Sequence, residues 1–442
     1  MRYFFLGLVL SLLASFTSAQ EAPTRLNVLD FGAIANYGTA EATDNTAAFQ
    51  AALDAAREKG SEVYVPGGHY LFKGHLTVPQ GVTLRGTWNA PPGRETGSVL
   101  LPTEGKGVED GPPFITLEGG CCVSGLVITY PEQVVATVPP FPYPWTIQGR
   151  GPDCQVVNCL IVRSWQMIDF GTYPCGRFFI DGIYGSALRR GIYIDGSVDV
   201  GRARNVQYVT FFFPYHGELD LWKMANCEAF IIGKADWVWF ENCFALGVHV
   251  GFRFLEGKGG NEKRTGPPNY IALTRCGIDE SQYNMIVENS SGITASQCVF
   301  KGWGIDVEPT NQGPIKFSQC WFSPMPGTSS LFRAHGMGRI SFMDCAFEFW
   351  DTQGDLSPAL LADCPSVSVI GCEFGAHNRT PYFIGDHQKY QIHLTERVQS
   401  AVITGNRFRY GQSLLNESKG QVVLEQNVVD NFDAWDEAPP GE

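Results

Sequence analysis

The chain has 442 residues and carries 45 acidic against 32 basic side chains, a formal net charge of −13. That balance argues against a nucleic-acid or anionic-membrane surface built on bulk charge. Fifty glycines and 27 prolines suit many short strands joined by tight turns, and beyond the first twenty residues no stretch approaches 18 uncharged apolar residues, the length of a membrane span.

In chain order, MRYFFLGLVLSLLASFTSAQ at 1–20 has a basic start, a short apolar run and the small-residue pattern Thr17-Ser18-Ala19. It reads as a secretory leader cut after Ala19, which predicts a secreted or periplasmic protein. LNVLDFGA at 26–33 reads as a short strand. In DNTAAFQAALDAAREKG, residues 44–60, Phe49, Ala52, Leu53 and Ala56 form one apolar stripe at helical spacing. Asp44 or Thr43 can cap that helix and Gly60 can end it. EVYVPGGHYLF and LTVPQGVTLRG follow as two strand pairs with tight turns.

Further on, one phrase recurs: IKFSQCWF at 315–322, with variants at 238–245, 293–300, 339–347 and 368–374. The spacings from Cys276 through Cys298, Cys320 and Cys345 to Cys372 are 22, 22, 25 and 27 residues. A period in the low twenties, with an alternating strand on each side of a pivot, predicts an all-β solenoid whose rungs share one core. The helix at 44–59 then plugs the first rung. Cys159, Cys243, Cys276, Cys298, Cys320, Cys345 and Cys372 occupy the pivot, where Asn406 and Asn427 replace them. That exchange predicts an interior ladder of small side chains, mostly reduced. Cys121, Cys122, Cys154, Cys175, Cys227 and Cys364 lie elsewhere, with pairing among them left open. The expected organisation is a leader at 1–19, one solenoid domain at 20–435 with its capping segment at 26–60, and a frayed tail at 436–442.

The segments NVLDFGA, TDNTAAFQAALDAA, VYVPGGHYLF and GVTLRG, between residues 27 and 86, resemble the N-terminal signature of the pectate-lyase superfamily in its rhamnogalacturonase/epimerase-like branch. The resemblance implies a single-stranded right-handed parallel β-helix, a fold common in secreted enzymes that cut or modify polysaccharides. Phage tailspikes and some adhesive proteins share the same opening. In that family the strand after the pivot pair, here typified by GIYIDGS at 191–197 and GIDVEPT at 304–310, builds the sheet that carries the substrate groove.

Alternation along those strands turns Asp169, Tyr193, Asp195, His249, Arg253, Glu288, Asp306 and Glu308 outward between apolar neighbours. Side chains one rung apart sit about 5 Å from each other and two rungs apart about 10 Å, which brackets the separations of paired carboxylates in glycoside hydrolysis. Asp195, His249, Arg253, Glu288, Asp306 and Glu308 are therefore the catalytic candidates. Against this stands the ordinary solvation of polar groups on an exposed strand face, the expected state of Lys234 and Asp236 in their turn. Three segments read as loops flanking the same rungs: 131–145, 214–225 and 255–269. Phe141, Tyr143, Trp145, Tyr215 and Trp222 in them either stack on sugar rings or anchor their own loops. Of these, Trp145, Tyr215 and Trp222, with Asp169 and Tyr193, are the substrate-binding candidates. Lys258, Lys263 and Arg264 would attract a polyanionic glycan.

The Asn-Thr-Asp, Asp-Asp, Gly-His-Gly and Arg-Ile-Lys motifs of polygalacturonases are missing, leaving only fragments in HGM at 335–337 and PIK at 314–316. The arginine motif of calcium pectate lyases is missing too, so no family catalytic residue transfers by motif. The leading expectation is a secreted enzyme that cleaves an acidic, uronate-containing polysaccharide by paired-carboxylate hydrolysis. The alternatives are a lyase or uronyl epimerase using His249 and Arg253, and a non-catalytic glycan-binding or structural β-helix. No metal or cofactor is implied by the residues; a lyase would need either side-chain cations or calcium to neutralise the uronate. The expected partner is a polysaccharide, with neither nucleic acid nor membrane.

Overall fold

The computed structural model describes residues 25–58, 61–90, 95–134, 136–208, 217–260, 263–375, 390–409 and 414–430. The leader, the tail at 436–442, Lys59, Gly60 and Tyr215, and the side chain of Lys263, lie outside them.

Thirty-seven strands join in one network of parallel pairings, each strand bonded to its equivalent one turn earlier and one turn later. The chain thus coils as a right-handed parallel β-helix with three sheets. The sheet that carries the candidate residues, called here the site sheet, runs through 76–78, 115–117, 145–149, 166–170, 190–194, 228–232, 250–254, 283–287, 305–307, 332–334, 360–362, 392–394 and 414–416. The second sheet precedes the pivot and the third follows it. The strands at 62–64 and 83–85 pair with each other across one turn of the helix, so the four strands near the N-terminus form no hairpins.

Helix α1 (Thr46–Arg57) buries Phe49, Ala52, Leu53 and Ala56, the stripe legible in the sequence. The N-cap is Asn45, with no side-chain capping bond, rather than Asp44 or Thr43, although Asp44 accepts from the backbone N–H of Thr46 at 3.0 Å; Phe49 meets the rings of Tyr70 and Phe72 edge-on and closes the first rungs. The opening segment departs from expectation. Only Leu26–Asn27 is strand, and Val28–Phe31 turns into a 3-10 helix capped by the Asn27 side chain. A second helix, α2 (Gly217–Asn226), occupies most of the segment read as a loop. Glu218 and Asp220 in its first turn complement the helix dipole.

Each pivot is a sharp corner. The residue before it adopts φ near +50 to +67° at Asn158, Asn205, Asn242, Arg275, Gln297, Gln319, Asp344, Gly371, Gly405 and Gln426. The corner then turns the pivot side chain inward. All thirteen cysteines are free, so none of the non-ladder thiols is paired. The ladder thiols are buried and donate to carbonyls, as Cys298 does to Leu273 at 3.6 Å and Ser296 at 3.3 Å. Asn406 continues the ladder, its Oδ1 accepting from the Cys372 N–H at 2.9 Å. Above the pivots, Phe322, Phe347, Phe374 and Phe408 stack ring on ring at 4.6–5.1 Å.

Candidate functional site

Along the site sheet one register column runs Gln148, Asp169, Tyr193, Ile231, Arg253, Ile286, Asp306, Arg333, Leu361, His393. All project outward, because their neighbours on each strand fill the core. Two residues on, beyond the strand ends, a parallel column continues by main-chain bonds. The amide of Glu288 donates to Phe254, that of Glu308 to Val287, that of His335 to Val307 and that of Asp363 to Ala334. The sequence candidates thus share one sheet face, but the face divides into three environments.

The first is closed. Asp169 and Asp195 are fully buried, which corrects the expectation that both line open solvent. Gln148 donates to Asp169 at 2.7 Å, as do the amides of Gly171 and Thr172 at 2.9 and 2.7 Å. The Tyr193 hydroxyl donates to Asp195 at 2.9 Å, and the amides of Gly196 and Lys234 donate at 2.8 and 2.7 Å. Burial, then the adjacent Asp195 charge, push the Tyr193 phenol well up, so it remains a donor. Trp145 stacks on Tyr193 at 6.3 Å with the rings 17° apart. A Cβ at Gly257 would lie 2.5 Å from Asp195, so the hairpin of Gly257–Gly260 and Lys263–Gly266 roofs this end. Alternation in the sequence sets direction; only the tertiary structure shows that a neighbouring loop lies over the residue.

The second environment centres on Arg253. Its Nη1 donates to Glu228 at 2.5 Å, and its Nε and Nη2 donate to one oxygen of Glu288 at 2.7 and 2.5 Å. Burial opposes the Arg253 charge, but Glu228 and Glu288 outweigh it and hold the guanidinium above its ordinary value. At the start of the same strand His249 hydrogen-bonds Gln282 at 2.7 Å and meets Tyr283 edge-on at 5.6 Å.

The third lies downstream, where Arg333 pairs with Asp306. Glu308 is half-buried, and its carboxylate makes no ion pair or side-chain hydrogen bond among the described residues. Next to it in the column stands His335, whose Nδ1 is 3.2 Å from Asp363. Thr395 and Arg397 also donate to Asp363, at 2.6 and 2.9 Å. Burial works against ionisation of Asp363, but these partners hold its carboxyl below the usual range.

A cleft of about 430 Å³ opens beside the second and third environments. Leu221, Met224 and Ala225 of α2 form one wall; Gln282, Tyr283, Trp303 and Arg333 form the other. Trp222 faces away from it, 5.4 Å from Trp165 and packed against the core. Tyr143 is fully buried and Phe141 packs on the core. These three rings anchor their segments, whereas Trp145 remains on the site face. Among the described residues no three His, Cys, Asp or Glu side chains gather as a metal site.

Glu228, Tyr283, Arg333, His335 and Asp363 escaped the sequence reading. Arg333 and His335 carried a signal, since LFRAH alternates like GIDVE one repeat earlier. Glu228 carried none, because its strand neighbours are buried alike.

Residues 25–125 match the family model described as rhamnogalacturonase A/epimerase, pectate lyase-like, and the described residues beyond them continue the same β-helix. No curated protein matches the chain. Three solved structures are similar to it, each over 92% of this chain. The tailspike protein mutant of E. coli bacteriophage HK620 in complex with hexasaccharide has TM-score 0.58 and 10% identity over 80% of its own length. The Azotobacter vinelandii mannuronan C-5 epimerase A-module has TM-score 0.53 and 13% identity over 99%. The catalytic unit of a GH87 alpha-1,3-glucanase from Streptomyces thermodiastaticus has TM-score 0.51 and 14% identity over 69%. Identities this low establish a shared fold and no more.

Proposed function

For this parallel β-helix protein of the pectate-lyase-like superfamily, we propose cleavage of glycosidic bonds in a uronate-containing polysaccharide laid along the outer face of the site sheet. The observation that carries the reading is Glu308. It is a half-buried carboxylate, without an ion pair among the described residues, next in the column to Glu288, which Arg253 grips by one oxygen. Adjacent strands lie about 4.8 Å apart, close to the roughly 5–5.5 Å that retaining glycosidases place between nucleophile and acid–base carboxyls. Arg253 holds Glu288 by one oxygen for attack at the anomeric carbon, while Glu308 protonates the departing oxygen and then deprotonates the incoming water. Arg333, with Lys258 and Arg264 exposed nearby in sequence on the hairpin, supplies cations for uronate groups.

The edge-on contact of His249 with Tyr283 beside the cleft favours a second reading, β-elimination or C-5 epimerisation of the uronate. One assay separates the two. Pectic, alginate and neutral glycans are incubated with the protein, and reducing ends are followed together with the ultraviolet absorbance of unsaturated uronates. Reducing ends alone, lost in Glu308→Gln, support hydrolysis. Both signals together sink it in favour of a lyase, and neither leaves epimerisation or simple binding.

A further inference from the structure

At the turn from the site sheet into the second sheet, two successive rungs each present a large ring to solvent. Trp237 and Tyr270 are 47% and 59% exposed, with ring centroids 5.3 Å apart and planes 54° apart. Trp239, 38% exposed, follows two residues later on the outward face of the strand Val238–Glu241. The Arg202 guanidinium lies over its ring at 5.2 Å and joins no ion pair among the described residues.

This is no scatter of single apolar residues, which an ordinary surface tolerates without a role. Trp237 and Tyr270 both hold left-handed backbone, φ +59° and +50°, the corner conformation this helix also uses before its pivots. Their backbone is pinned on several sides. Trp237 donates to the Asn269 carbonyl at 3.1 Å and accepts from Gly201 at 3.1 Å, and the Tyr270 amide donates to the Asn269 side chain at 3.0 Å. Beside the rings, Asp236 is not the solvated turn charge expected from sequence. Its Oδ1 is shielded from water and has no hydrogen-bond partner among the described residues.

Flat rings fixed in the open and a cation stacked on one of them, without an ion pair among the described residues, match a ligand with flat C–H faces and negative charge. We propose that Trp237, Tyr270 and Trp239 form a second glycan-binding platform, separate from the groove, on which the pyranose faces of an acidic polysaccharide stack while Arg202 meets a carboxylate. The inference shares with the proposed function its acidic glycan, but it needs none of the chemistry at Glu308.

Affinity electrophoresis of the full chain through gels containing polygalacturonate, alginate or neutral dextran tests it. The parent is expected to be retarded by an acidic glycan. The double variant Trp237→Asn/Tyr270→Asn should weaken that retardation roughly tenfold, the scale of one or two lost stacking contacts. Asn tolerates the left-handed backbone, so the melting temperature should not fall. Arg202→Gln should weaken retardation by the acidic gels and leave dextran unaffected. Unchanged retardation in the double variant, or a parent that no gel retards, overturns the platform. So does a parent that sediments as a dimer and a double variant that sediments as a monomer, because the patch is then an interface between copies. Full turnover in Glu308→Gln would overturn the groove chemistry and leave this result standing.

Discussion

Asp195 and Glu308 both stand two residues beyond the main register column, yet they live in opposite conditions. Asp195 is fully buried and satisfied by a phenol and two amides. Glu308 is half-buried with no side-chain partner among the described residues. Replacing Asp195 by Ala strands those donors, so a loss of about 3 kcal/mol in stability is expected from urea denaturation. A small change would show that the burial is unimportant. This reverses what an exposed carboxylate would do. Glu308→Gln, by contrast, should cut turnover at least about a hundredfold, the scale of a general acid, with the melting temperature unmoved. Asp363 adds a pH test. Its folded carboxyl titrates below the ordinary 3.8, so the stability it contributes is present above about pH 4 and lost as the pH falls through the folded value. Asp363→Asn should flatten the acid limb of a stability profile between pH 5 and 3.

At the scale of the element, the pivot ladder makes a chemical prediction. Hydrogen bonding between neighbouring thiols, then burial, push Cys298, Cys320 and Cys345 up to about 12 from an ordinary 9.0. A thiol that ionises at about 12 when folded and at 9.0 when unfolded contributes stability that is complete below pH 9 and declines as the pH rises toward 12. In the native protein these thiols should resist iodoacetamide at pH 8 and react only after unfolding, as read by mass spectrometry. Rapid native alkylation would contradict the ladder. The phenylalanine stack alongside carries the packing. Phe347 is wholly buried between Phe322 and Phe374, so Phe347→Ala should cost about 3–5 kcal/mol through the cavity it leaves.

For the molecule as a whole, each rung touches mainly the rung before and the rung after, so stability is propagated between neighbours. Damage near one end should stay local. Leu394→Ala, in the rungs toward the C-terminus, is expected to raise amide exchange over 392–425 while the Arg253 environment remains protected. Phe252→Ala, in the middle of the site sheet and stacked on Phe230 at 4.7 Å, should expose Glu228 and Glu288 to exchange and abolish activity along with folding. Equal loss of protection everywhere in the Leu394 variant would show a single cooperative unit instead.

Much of the architecture was readable in one dimension because the fold is periodic. The Cys/Asn pivots, the alternation of Ile192, Tyr193 and Ile194, and the stripe Phe49, Ala52, Leu53, Ala56 are local patterns that dictate which side of a strand or helix faces the core. The same alternation placed Arg253, Glu288, Asp306 and Glu308 on one face. What it could not supply is everything that depends on the neighbouring turn. Parallel register decided that Arg333 meets Asp306 and that His335 meets Asp363, 27 and 28 residues along the chain. Loop packing decided that Asp169 and Asp195 are covered, and that Trp222 points inward while Trp237 and Tyr270 stand in water. A strand's own sequence carries the sign of each side chain's direction. Its exposure and charge partners belong to segments that reach it only after the solenoid has closed.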